Sequence, residues 1–129
     1  MVIDSKGQLA SGSSTGGIGS EVPGRVSDSG TIAGNYASKF AAITVTGIGE
    51  QITNDAVASK TETRIRDGMS LKEAFNKTFN EAKQRKHFYG YIGIDSKGNY
   101  GVAHTTNAMP FVVYNENGLL TKFENQSIG

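Results

Sequence analysis

Ala41-Ala42-Ile43-Thr44-Val45-Thr46-Gly47-Ile48-Gly49-Glu50 passes from one kind of backbone to another within a few residues. Ile43 and Val45 alternate with Thr44 and Thr46, the pattern of a strand with one buried face. Two glycines follow, where the chain can turn sharply or approach a neighbour closely. From Glu50 no strong breaker occurs before Gly68, so a helix is predicted over about 50–67, ending at that glycine. Its apolar positions, Ile52, Ala56, Val57 and Ile65, make only a weak stripe.

Just downstream, Ser70-Leu71-Lys72-Glu73 is a capping box, with Ser70 accepting from the first turn and Glu73 reaching back. Leu71, Ala74, Phe75, Thr78, Phe79 and Ala82 then fall on one helical face. Lys83, Arg85, Lys86 and His87 crowd the far end, where cations complement the helix dipole.

Outside the helical centre the chain reads as hairpins. Ile3-Asp4-Ser5-Lys6-Gly7 recurs as Ile94-Asp95-Ser96-Lys97-Gly98, and each copy predicts strand, tight turn, strand. Asn115-Glu116-Asn117-Gly118 forms a third turn between the runs 111–114 and 119–123. Residues 11–34 are rich in glycine and serine but carry Ile18, Val22, Pro23, Val26 and Ile32, which suits a structured loop better than a tether. The polar tail after Phe123 is expected to fray. The order implies an α+β layer, helices on one face of a mainly antiparallel sheet, in a single domain over 1–129.

Composition narrows the function classes. A formal net charge of +1 gives no electrostatic case for nucleic acid or an anionic membrane surface. No apolar run approaches a membrane span, and the start shows no signal-peptide pattern. The chain has no cysteine, which removes disulfides, thiolate metal sites and a cysteine nucleophile, and suits a cytoplasmic setting.

Three strings carry chemistry: Ser14-Thr15-Gly16-Gly17, Gly24-Arg25-Val26-Ser27-Asp28-Ser29 and Thr46-Gly47-Ile48-Gly49-Glu50. Arg25 offers a planar fork suited to a carboxylate, and Asp28 an acceptor suited to an ammonium. One site holding both would take the head group of an amino acid, although the pair could equally brace a turn. Thr15 could simply end a strand. Gly47 and Gly49 could serve a strand-to-helix turn or bring backbone N–H groups up to developing negative charge. A dinucleotide loop is a weaker reading, because Ile52 stands where a third glycine belongs. His87 and His104 lack partners of a metal or triad pattern and read as structural. Tyr89, Tyr91 and Tyr100 suit sheet packing.

In combination these strings resemble the β-subunit of the N-terminal-nucleophile asparaginases, a family that includes isoaspartyl peptidases and glycosylasparaginases. Two departures stand out: Ser27 where the family usually has glycine, and a shorter, proline-free segment over 30–36. The resemblance implies half of an αββα sandwich and an amidohydrolase acting on L-asparagine or β-aspartyl peptides. Arg25 would grip the substrate's α-carboxylate, Asp28 its ammonium, and Gly49 would line the same binding site. Thr46 and Gly47 would form an oxyanion hole, with Thr15 beside the nucleophile. In the family that nucleophile is the threonine freed at the start of the β-subunit by self-cleavage, expected a few residues upstream of Met1. The expected partners are a small-molecule substrate and an α-subunit in an (αβ)2 assembly, with no nucleic acid, membrane or cofactor. The alternative is a non-catalytic fragment or subunit that binds an amino-acid-like ligand or docks on a complete partner.

Overall fold

The computed structural model describes residues 1–124, and the polar tail expected to fray lies almost wholly outside them. Its centre is an antiparallel sheet of β3 (Asn35–Ala37), β4 (Ala41–Gly47), β5 (Tyr89–Asp95) and β6 (Tyr100–His104), in that order. Two hairpins flank it: β1 (Val2–Ile3) with β2 (Leu9–Ala10), and β7 (Met109–Asn115) with β8 (Gly118–Glu124). The helices α1 (Gly49–Asp55), α2 (Val57–Arg66) and α3 (Leu71–Arg85) connect β4 to β5. This is the α+β architecture expected for half of a sandwich. No helix among the described residues is long and apolar enough to cross a membrane.

The core lies between α2, α3 and one face of the sheet. Ile43, Val45, Tyr89, Tyr91 and Ala103 meet Ile52, Val57, Leu71 and Phe75 there. The approach of α3 is close because Gly93 and Gly101 are cross-strand partners beneath it. A Cβ on Gly93 would lie 2.9 Å from Phe75 Cζ, and one on Gly101 would lie 2.5 Å from Leu71 Cδ2. The Tyr91 hydroxyl then reaches the Phe75 carbonyl at 2.7 Å. The capping box of α3 forms as the sequence predicts, with Ser70 accepting from the Glu73 N–H and the Glu73 carboxylate accepting from the Ser70 N–H at 2.9 Å.

The twin turns fold alike. Asp4 Oδ1 accepts from Lys6 N and Gln8 N, both at 2.8 Å. Asp95 Oδ1 accepts from Lys97 N at 2.9 Å and Asn99 N at 3.0 Å.

The helix expected over 50–67 is two helices. Ala56 sits in the left-handed region (φ 48°, ψ 45°) and redirects the chain between α1 and α2. The break aims the first turn of α2 at the loop before β3. Ala58 N donates to Ala33 O at 2.8 Å and Ser59 N to Ile32 O at 3.1 Å, so backbone carbonyls cap α2 where no side chain does. Asp55, buried at the break, accepts from the Tyr89 hydroxyl at 2.7 Å, contacts His87 Nδ1 at 2.9 Å and pairs with Arg85. These contacts fasten the end of α1 to the end of α3 and the start of β5.

Strand register separates the two faces of the sheet. Thr44, Thr46, Ile92, Ile94, Val102 and Tyr100 face away from the helices. Ile92, Ile94 and Val102 are only half-buried there, and Tyr100 is exposed.

Candidate active site

The segment after β2 crosses the helix-free face of β4. Ser13 Oγ meets Thr44 Oγ1 at 2.8 Å and pins the crossing. Two residues on, Thr15 Oγ1 accepts from Gly17 N at 2.9 Å and closes a small turn. Between this segment and the end of β4 lies a cleft of about 300 Å³, bordered by Thr15, Asp28, Thr46, Gly47, Ile92 and Met109. Four of the six site residues expected from sequence therefore share one cleft.

The other two, Arg25 and Gly49, line an adjoining hollow of about 350 Å³ together with Asp28, Glu50 and Thr53. Asp28 borders both spaces. It opens a short 3₁₀ turn, Asp28–Gly30, which Ser27 caps by accepting from Ser29 N. A Cβ on Gly49 would sit 2.9 Å from Asp28 Oδ1 and 3.7 Å from Arg25 Nη2, so glycine there lets both charges lie against the first turn of α1.

Gly47 has a separate reason to be glycine. Its φ is 140°, and a Cβ would come within 2.6 Å of Phe88 O and Tyr89 Cα. Close packing of β4 on β5 accounts for the residue without any ligand.

Arg25 and Asp28 do not form the turn-bracing ion pair weighed from sequence. Arg25 Nη1 instead lies 3.5 Å from Glu21 Oε1. Partial burial pushes the Asp28 carboxyl above its ordinary range. Its own backbone N–H and Arg25 oppose the rise, and Glu50 adds to it.

Both histidines lie outside the cleft lining. His87 belongs to the Asp55 cluster, and His104 is buried with Nδ1 2.9 Å from Thr106 O. Among the described residues no group of three His, Asp or Glu side chains converges as metal ligands would. The sequence reading missed Ser13, Thr44, Met109 and Glu21. The first three are ordinary sheet and loop residues until strand order brings them together. Glu21 carried one signal, its spacing of four from Arg25.

Helices thus cover one sheet face, and a threonine- and glycine-lined cleft with Asp28 at its border lies on the other, as expected for half of an αββα sandwich. The sequence model of the family described as Asparaginase matches residues 1–123, and the chain belongs to that family. It is 46% identical over 98 residues to an isoaspartyl peptidase/L-asparaginase of Nostoc sp., covering 76% of this chain and 31% of that protein. A probable isoaspartyl peptidase/L-asparaginase 2 of Arabidopsis thaliana is 34% identical over 111 residues, covering 84% of this chain and 34% of that protein. A plant-type L-asparaginase of Pyrococcus horikoshii is 34% identical over 115 residues, covering 87% and 37%. The chain thus spans about a third of the length of the curated relatives it matches.

Proposed function

We propose that this chain carries the substrate-binding part of an amidohydrolase that cleaves the side-chain amide of L-asparagine or the isopeptide bond of β-aspartyl peptides. In this reading Arg25 takes the substrate's α-carboxylate and Asp28 its α-ammonium. The side-chain carbonyl then extends into the cleft, toward Thr46 and Gly47, whose donors would stabilise a tetrahedral oxyanion. The nucleophile is a threonine at a chain start, which is not among these 129 residues. Its hydroxyl attacks the carbonyl carbon while its own α-amino group takes the proton, and Thr15 holds both groups in place. Ammonia or a peptide amine leaves, and water releases aspartate from the acyl-enzyme. An α-subunit and an (αβ)2 assembly belong to the same proposal.

The observation that carries it is the double position of Asp28. It borders the threonine-lined cleft on one side and the Arg25 hollow on the other, which supports a single small zwitterion bound across both. The test is a chimera in which these residues replace the matching region of the Nostoc relative. It is expected to release ammonia from asparagine. Arg25→Ala should lower kcat/KM by roughly one to two orders of magnitude, the worth of a charge-assisted bidentate contact. A folded, self-cleaved Arg25→Ala chimera with unchanged kcat/KM would sink the head-group assignment.

A further inference from the structure

Glu21 is the nearest carboxylate to the charge on which the head-group reading depends. It does not hang free in solvent. Its Oε1 accepts from the Ile18 N–H and lies 3.5 Å from Arg25 Nη1. Backbone N–H groups of Ile18, Glu21 and Gly19, with Arg25, hold this carboxyl below its ordinary range. The loop is shaped around it. Gly17 turns at φ +75°, and a Cβ there would overlap Glu21 Oε1. The N–H of the same Gly17 donates to Thr15 Oγ1, so Glu21 sits at the root of the turn that carries Thr15 to the cleft.

One guanidinium therefore stands among three carboxylates: Glu21 at 3.5 Å, and Asp28 and Glu50 in the hollow it lines. At 3.5 Å Glu21 is beyond a good hydrogen bond, so it leaves the guanidinium's donors available while offsetting its charge. A ligand carboxylate arriving at Arg25 is repelled by this fixed anion, whereas an arriving ammonium is not. We propose that Glu21 is an affinity-setting residue, an internal carboxylate that weakens the hold of Arg25 on a ligand's α-carboxylate. This rests on the assignment of Arg25 to that carboxylate. Its consequence is a site that binds through the ammonium and releases carboxylate-bearing products readily.

Glu21→Gln is the informative variant, because the amide oxygen can still accept from Ile18 N–H and only the charge is lost. Equilibrium dialysis of the chain, at a concentration where sizing chromatography shows a monomer and with folding checked by circular dichroism, compares L-asparagine with its α-amide, which lacks the carboxylate. Glu21→Gln should bind L-asparagine roughly two- to fivefold more tightly, the range of a partly exposed ion pair. Its binding of the α-amide should be unchanged or weaker. In Arg25→Ala the added substitution Glu21→Gln should have no effect on asparagine. Equal or weaker asparagine binding by folded Glu21→Gln overturns the proposal and makes Glu21 a brace for Arg25. Equal gains for asparagine and its α-amide overturn it as well. If the folded wild-type chain and Glu21→Gln both fail to bind asparagine, the head-group reading falls and this inference with it.

Discussion

Two aspartates illustrate opposite uses of a carboxylate. Asp28 is raised above its ordinary 3.8 by burial, so it is least costly to the fold when protonated. Its contribution to stability is present below the ordinary value and lost as pH rises through the raised one. An ammonium ligand needs the ionised form. Asparagine affinity should therefore fall on acidification, beginning above the ordinary carboxylate range, and Asp28→Asn should be weak and flat across the same pH series. Asp55 runs the other way. Burial alone would raise it, but hydrogen bonds from Tyr89, His87 and Arg85 leave it below 3.8. Its stabilisation is present above the ordinary value and lost as pH falls through the lowered one. Asp55→Ala strands a buried tyrosine hydroxyl and His87 and should cost about 3 kcal/mol in urea unfolding at neutral pH. A loss below about 1 kcal/mol would mean that water replaces the carboxylate at little cost. Arg25 and Asp28 were legible in the sequence because their pairing of types in a glycine-bounded string resembles a family motif. Asp55 was not, because its three partners come from another helix end and a strand.

Elements with local codes were legible, and elements set by distant neighbours were not. The capping box of α3, the strand at β4 and the tight turns follow from side chains within a few residues of one another. The break between α1 and α2 has no such signal, since neither glycine nor proline stands at position 56. It exists because the carbonyls of Ile32 and Ala33 capture the first free N–H groups of α2. Ala56 consequently holds a left-handed conformation that its Cβ disfavours. Glycine is usually destabilising within helices, but here Ala56→Gly should raise stability by roughly 0.5–1 kcal/mol. A higher Tm by calorimetry supports the break as a fixed feature, whereas a lower one would show that the left-handed residue is not strained. Strand β3 was also missed, as Asn35–Ala37 is too short and too polar to stand out before its pairing with Ala42–Thr44 is known.

At the scale of the molecule the helices cover one face of the sheet and leave the other to the crossing loop. Ile92, Ile94, Val102 and Tyr100 are therefore not sealed from water, and among the described residues no further strand pairs with the edges of β3 and β6. The 129 residues produced alone should self-associate with rising concentration, as seen by sizing chromatography. They should also release no ammonia from asparagine, because the proposed nucleophile is not among them. A monomer at all concentrations with a cooperative melt would show that the second face needs no cover. The sequence pattern made the two-layer half visible, while its exposed face depends on strand order, which the pattern does not encode. Strand order also dictates when the site can exist. The turn at Asp95–Asn99 closes on its own side chain, so β5 and β6 can zip together on the microsecond scale of hairpins. β4 must find β5 across the whole helical segment, a slow search by comparison. Both walls of the cleft hang on β4, so recognition is expected to be the last property this chain acquires as it folds.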